Sequence, residues 1–101
     1  MLALDALGNP VRRQILELVR QEPRSVEELA RELPQISRPA VSRHLRLLRQ
    51  AGLVQHRPQG TRNIYSLQAE GFESLRSYLE SCYDDALPRY ALVAENLEGW
   101  K

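Results

Sequence analysis

ISRPAVSRHLRLLRQAGLV, residues 36–54, leads through Gln55 into HRPQGTRNIYSL, residues 56–67, and the whole segment contains basic side chains but no acidic one. Its first part reads as a helix. Ser37 is placed to accept a hydrogen bond from an unpaired amide of the first turn, and Pro39 lies within that turn, where its missing N–H is no loss. From there to about Gln50, Val41, Leu45 and Leu48 fall on one inward face, with Leu47 at its boundary. Arg38, Ser42, Arg43, Arg46 and Arg49 are left outside. Gly52 stops the helix, and Leu53 begins an extended segment.

Downstream, LVQHR and RNIYSL alternate apolar and polar residues on either side of the turn PQGT, the pattern of a β-hairpin centred on Gly60. Leu53, Ile64 and Leu67 would anchor it, while Arg57, Gln59 and Arg62 project near its tip. Upstream, Ser25 and Glu28 have the spacing of a capping box for a helix over residues 26–33, with Leu29, Ala30 and Leu33 inward, and Pro34 ends it. The sharp turn between Leu33 and Ser37 then gives two short helices the form of a helix-turn-helix.

Further out, Asn9 and Pro10 start another helix, whose Val11, Ile15, Leu18 and Val19 share a face opposite Arg12, Arg13, Glu17 and Arg20. Pro23 closes it. LALDAL, residues 2–7, predicts a separate turn or short helix needing an apolar partner. Residues 72–97 read as helix again, with more apolar positions than one face of a lone terminal helix requires. Pro88 is expected to kink that helix or divide it in two.

At 101 residues the chain has the length of one domain, and 43% hydrophobic with 27% charged residues is the balance of a folded globular chain. The single cysteine, Cys82, excludes an intrachain disulfide and fits a reducing compartment. With no basic leader before a long apolar run and no window long enough to span a bilayer, the expected location is the cytoplasm, away from the membrane. The formal net charge of +1 conceals an asymmetry. Residues 34–67 hold six arginines and no acid, giving +6, whereas residues 68–101 hold seven acids against Arg76, Arg89 and Lys101, giving −4.

A helix presented by a tight helix-turn-helix fits the major groove of double-stranded DNA, where donors and acceptors distinguish every base pair. Ser37 and the helix's first amides would meet a phosphate, and Arg38, Ser42, Arg43, His44 and Arg46 are the candidates for reading bases or fixing register. Arg57 or Arg62, at the hairpin tip, would reach the minor groove. His56 reads as structural or phosphate-facing.

These segments, ISRPAVSRHLRLLRQAGLVQHRPQGTRNIYSL preceded by DALGNPVRRQILELV and SVEELAREL, resemble the winged helix-turn-helix transcriptional regulators of the ArsR family over nearly the whole chain. The resemblance implies an α+β fold with a two-stranded β-hairpin wing, in one domain spanning residues 1–101. It also implies a homodimer built from helices at about residues 1–20 and 70–98. Leu2, Leu4, Leu75, Leu79, Tyr83, Leu87, Tyr90, Val93 and Leu97 would supply the apolar seam. The implied function is sequence-specific repression from a palindromic operator. One helix reads only a few base pairs, so pairing two across a two-fold axis converts weak contacts into useful affinity.

Metal-sensing members of that family use paired cysteines before the recognition helix or an Asp/His cluster in the terminal helices. SVEELAREL has no cysteine and the terminal helix no histidine, so neither a metal site nor another cofactor is expected, and no effector can be named. Asp84, Asp85 and Glu95 read as an acidic helix face, and Cys82 as a small buried hydrophobe. No enzyme is expected either: Ser42 and His44 point in different directions on one helix, Cys82 has no histidine near it in sequence, and no phosphate-binding glycine loop occurs. A winged helix that binds only proteins is the remaining alternative.

Overall fold

Asn9 does start a helix, as its side-chain oxygen accepts from the amides of Val11 and Arg12 at 2.9 and 3.2 Å. The computed structural model describes residues 2–98, with side-chain surroundings through residue 86. In chain order it comprises α1 (Leu2–Leu7), α2 (Pro10–Gln21), β1 (Arg24–Ser25), α3 (Val26–Glu32), α4 (Arg38–Gln50), β2 (Val54–Gln59), β3 (Arg62–Leu67) and α5 (Ala69–Glu98). LALDAL is thus a short helix, with Ala3 and Ala6 buried and Leu2 and Leu4 exposed. In α2 the buried residues are Ile15, Leu16 and Val19. Leu18, expected inside, is half-buried, and Leu16 takes its place.

The capping box of α3 forms as expected: the Glu28 amide donates to the Ser25 hydroxyl at 3.2 Å, and the Ser25 amide donates to the Glu28 carboxylate at 3.5 Å. Ser25 is completely buried and does a second job. With Arg24 it forms a two-residue strand paired antiparallel to β3, Arg24 opposite Tyr65 and Ser25 opposite Ile64. The expected two-stranded hairpin forms as β2–β3, and β1 adds a third strand to it, so the sheet has the order β1-β3-β2. A strand of two residues has no periodicity to read; it exists only because β3 offers it a free edge.

The hairpin pairs Val54 with Leu67 at its base and Gln59 with Arg62 at its tip, leaving Gly60 and Thr61 as the turn. Gly60 has φ of 63°, the left-handed conformation that such tight turns require. Pro58 lies in β2 opposite Asn63, one step before the turn in which it was expected. It is tolerated because β2 is an edge strand, so a missing donor breaks no ladder on its outer side. On β3 the residue in the core is Tyr65, not Ile64, which is half-buried; Tyr65 stacks on His56 across the strands with ring centroids 5.3 Å apart.

Val41, Leu45 and Leu48 of α4 are fully buried beside Leu29 and Leu53, so the inward face of the recognition segment is the centre of the core. Leu47, at 41% exposure, lies outside it. Ala51 ends α4, and Gly52 turns the chain with φ of 74°. Helix α5 then starts against that turn, where the Gly71 amide donates to the Gly52 carbonyl at 2.8 Å. A Cβ at position 71 would lie 2.7 Å from the carbonyl carbon and oxygen of Gly52 and nearer still to the Ala51 oxygen, so only glycine fits this approach. Helix α5 continues through Pro88 as one element. Of the two outcomes expected at Pro88, a kink or a division, the division does not occur: a proline removes one bond from the ladder, and turns on both sides can bridge the gap.

Candidate nucleic-acid interface

Burying Val41, Leu45 and Leu48 turns the opposite side of α4 to solvent, and Ser42, Arg43, Arg46 and Arg49 are all exposed there. Arg43, Arg46 and Arg49 have no carboxylate partner among the described residues, nor does Arg57 on the hairpin. Their charge is open to solvent. Beside them, between α4 and β2, lies a cleft of about 550 Å³ lined by Arg46, Arg49, His56 and the glutamines at 50, 55 and 68. The cleft contains no acid, so the basic surface continues from the helix onto the hairpin.

Three of the expected contact residues have other engagements. The Ser37 hydroxyl accepts from the Ala40 amide at 3.2 Å, capping α4 at the N-terminus where an anion would also sit. Arg38 forms a short ion pair with Glu27 of α3, an acid 11 residues earlier. His44 is a hundred degrees round the helix from Arg43 and turns towards α2, half-buried, with Nδ1 3.5 Å from the Arg12 guanidinium. That guanidinium is itself held through its Nε, which donates to the Ala6 carbonyl at 2.8 Å. Burial first, then the charges of Arg12 and Arg43, push the His44 imidazolium to a lower pKa, so it is neutral at neutral pH.

Arg57 and Arg62 project from the hairpin as expected, Arg62 at the first position after the turn and Arg57 opposite Ile64. The structure thus gathers Ser42, Arg43 and Arg46 on one outward face, puts Arg57 and Arg62 on the hairpin beside it, and sets His44 apart. Glu27 is the residue that sequence reasoning missed. It belongs to the first turn of α3, and nothing in its neighbourhood along the chain signals that folding will bring it to the start of α4.

A second surface occupies α5. Phe72, Leu75, Leu79 and Tyr83 line a groove of about 440 Å³ along one side of the helix, with Arg76 and Glu80 at its rim. Phe72 and Leu75 also touch the core, but Leu79 is 54% and Tyr83 64% exposed. Leu2 and Leu4 of α1, which packs on α5, are exposed too. The side chains of Leu87, Tyr90, Val93 and Leu97 lie outside the described residues. Cys82, expected to be buried, is exposed, because this part of α5 has left the protomer's core; its hydrogen bond and charge raise the pKa of Tyr78 one turn earlier. Among the described residues no three His, Cys, Asp or Glu side chains gather into a metal site, and no helix is long and apolar enough to cross a membrane.

A helix-turn-helix domain family matches residues 7–57, from the end of α1 to the middle of the wing strand β2. The chain is 45% identical over 94 residues to the HTH-type transcriptional regulator Rv2034 of Mycobacterium tuberculosis, an alignment covering 93% of this chain and 87% of the relative. Among solved structures it resembles a possible transcriptional regulator for arsenical resistance, with 37% identity, a TM-score of 0.74 and coverage of 94% of this chain and 96% of the other. It also resembles the homodimeric winged helix-turn-helix DNA-binding domain of Mb0332 from Mycobacterium bovis, a possible ArsR-family regulator. The identity there is 32% and the TM-score 0.65, over 85% of this chain and 79% of that one. With a helix-turn-helix, a basic wing and relatives of this kind over nearly its full length, the chain belongs to the ArsR family of winged helix-turn-helix transcriptional regulators, sequence-specific DNA-binding proteins with a regulatory and not a catalytic role.

Proposed function

We propose that the protein is a cytoplasmic repressor that binds a palindromic operator as a homodimer, with α4 in the major groove and the tip of the β2–β3 hairpin beside it. The observation that carries this reading is the acid-free outward face of α4, where Ser42, Arg43 and Arg46 stand together with exposed Arg57 nearby. Arg43 and Arg46 are the residues for base edges, since they are directed away from the core. Ser37 and Arg38, at the helix start, suit a phosphate. Arg57 and Arg62 suit the minor groove or its flanking phosphates. His44 supports Arg12 and acts at the edge of the interface.

The dimer reading rests on α1 and α5. Leu79 and Tyr83 are too exposed for residues that serve only the protomer, and Leu2 and Leu4 extend the apolar surface. A second copy would cover both and set two α4 helices about one DNA turn, roughly 34 Å, apart. Of the terminal regions, α2 contributes its apolar face to the protomer's own core, so the seam is assigned to α1 and α5.

The test is fluorescence anisotropy with the protein's own upstream DNA and a scrambled duplex over a salt series. Arg43→Ala is expected to weaken binding to the upstream DNA about tenfold or more, the scale of one lost arginine–guanine pair. Arg76→Ala, which lies on α5 away from α4 and removes an exposed ion pair with Glu80, is expected to weaken it less. Equal losses from the two substitutions would overturn the site assignment. Binding that is weak, equal for both duplexes and lost as salt rises would favour a protein-interaction module instead.

A further inference from the structure

Arg38 is the first residue of α4, and of the arginines on the proposed DNA face it is, among the described residues, the one in contact with a carboxylate. That carboxylate belongs to Glu27 in the first turn of α3, so the pair crosses the helix-turn-helix from one helix start to the other. Glu27 is not needed for capping, which Ser25 and Glu28 complete between themselves. Its own backbone amide, then Arg38, then Ser25 and Arg62, hold its pKa below the ordinary carboxylate value, so it is ionised at neutral pH. Arg62 belongs to the wing, which places Glu27 in the field of both DNA-facing elements.

We propose that Glu27 is an electrostatic latch that masks Arg38 from DNA of arbitrary sequence and thereby lowers the protein's non-specific affinity. The inference rests on the assignment of α4 to the DNA interface. Its physical basis is the counterion relation: each arginine that neutralises a phosphate releases counterions and steepens the salt dependence of binding, whereas an arginine already matched to a carboxylate does neither. To reach a phosphate, Arg38 must leave Glu27 and expose that carboxylate beside another anion. Both side chains are partly open to water, Arg38 at 61% and Glu27 at 38%, so the exchange needs no rearrangement of the core. An operator that positions its phosphate well at the start of α4 can drive it; a random duplex docked loosely cannot. The latch therefore adds to discrimination without touching a base.

The test uses a scrambled duplex of fixed length, so no operator need be known. Glu27→Gln keeps the side chain's shape and removes its charge. It is expected to bind the scrambled duplex several-fold more tightly at low salt, with a log-affinity against log-salt slope steeper by about 0.9, the increment for one further phosphate. That increment makes the advantage over wild type shrink by about 3.5-fold between roughly 50 and 200 mM salt. In an Arg38→Ala background the same substitution should lose most of its effect, the remainder being the influence on Arg62. Arg38→Ala alone should barely change the wild-type slope, whereas Arg43→Ala, whose guanidinium finds no cognate base on a scrambled duplex and rests on a phosphate there instead, should reduce it by about 0.9. A full Glu27→Gln gain in the Arg38→Ala background would replace the latch with a general field effect, and no gain in either background would also overturn it. If instead Arg43→Ala leaves the slope unchanged, the DNA-face assignment fails, and the latch with it.

Discussion

Replacing Gly71 by alanine adds one methyl group at the joint between the DNA-facing unit and α5, and that methyl has nowhere to go. Its position is 2.7 Å from two backbone atoms of Gly52 and closer to the Ala51 oxygen. Backbone cannot rotate aside as a side chain would, so the cost belongs at the upper end of the usual overpacking range, about 3 kcal/mol. Displacing the start of α5 also lengthens the 2.8 Å bond from the Gly71 amide to the Gly52 carbonyl, a loss of about 1 kcal/mol. The better helix propensity of alanine returns roughly 1 kcal/mol. The net destabilisation is about 3 kcal/mol, which for a domain of this size lowers Tm by about 10–20 °C.

Gly60→Ala is the comparison, since a Cβ there meets nothing within 4 Å and is opposed only by the φ of 63°. That conformation costs about 1–2 kcal/mol for an L-residue, or a Tm loss of about 5–10 °C. Thermal unfolding followed by circular dichroism, at one fixed protomer concentration because dimerisation would couple to Tm, measures both. A Tm for Gly71→Ala within a few degrees of wild type, or equal to that of Gly60→Ala, would refute the reasoning. Because the same contact sets the angle at which α5 leaves the end of α4, folded Gly71→Ala protein should also bind its upstream DNA more weakly than wild type.

Leu79→Asp combined with Tyr83→Asp should convert the proposed dimer to monomer in sedimentation equilibrium while leaving the helical signal intact, as both side chains are exposed in the protomer; a dimer that survives would remove α5 from the seam. His44 yields a pH prediction. Its pKa is depressed in the folded chain, so as pH falls below about 6.5 the unfolded chain takes up the proton first, and stability declines until the depressed folded pKa is passed. His44→Gln should flatten the fall in Tm between about pH 7.5 and 5.5, and an unchanged profile would show that burial and the neighbouring arginines do not govern this histidine.

How much of this was legible beforehand depended on the range of the interaction involved. Asn9, Ser25 with Glu28, and Ser37 announce helix starts because a cap bonds amides two or three residues away, and all three caps form. Val41, Leu45 and Leu48 announce the inner face of α4 because helical periodicity alone brings them together, and fixing that face also exposes Ser42, Arg43 and Arg46. Strand β1 and the burial of Tyr65 in place of Ile64 were not legible in the same way. Two residues carry no period, and which face of β3 meets the helices is decided by how the sheet packs.

The sequence by itself determined the starts of α2, α3 and α4, the helix-turn-helix, the hairpin and the acid-free run, all consequences of hydrogen bonding and periodicity within a few residues. Only the tertiary structure decided that Glu27 meets Arg38, that Arg12 occupies one side of His44, and that Gly71 must be glycine to let α5 approach Gly52. Each of these joins residues far apart in the chain. Their proximity follows from the way helices pack on a shared core, and charges or methyl groups brought together by that packing leave no local mark in the order of the amino acids.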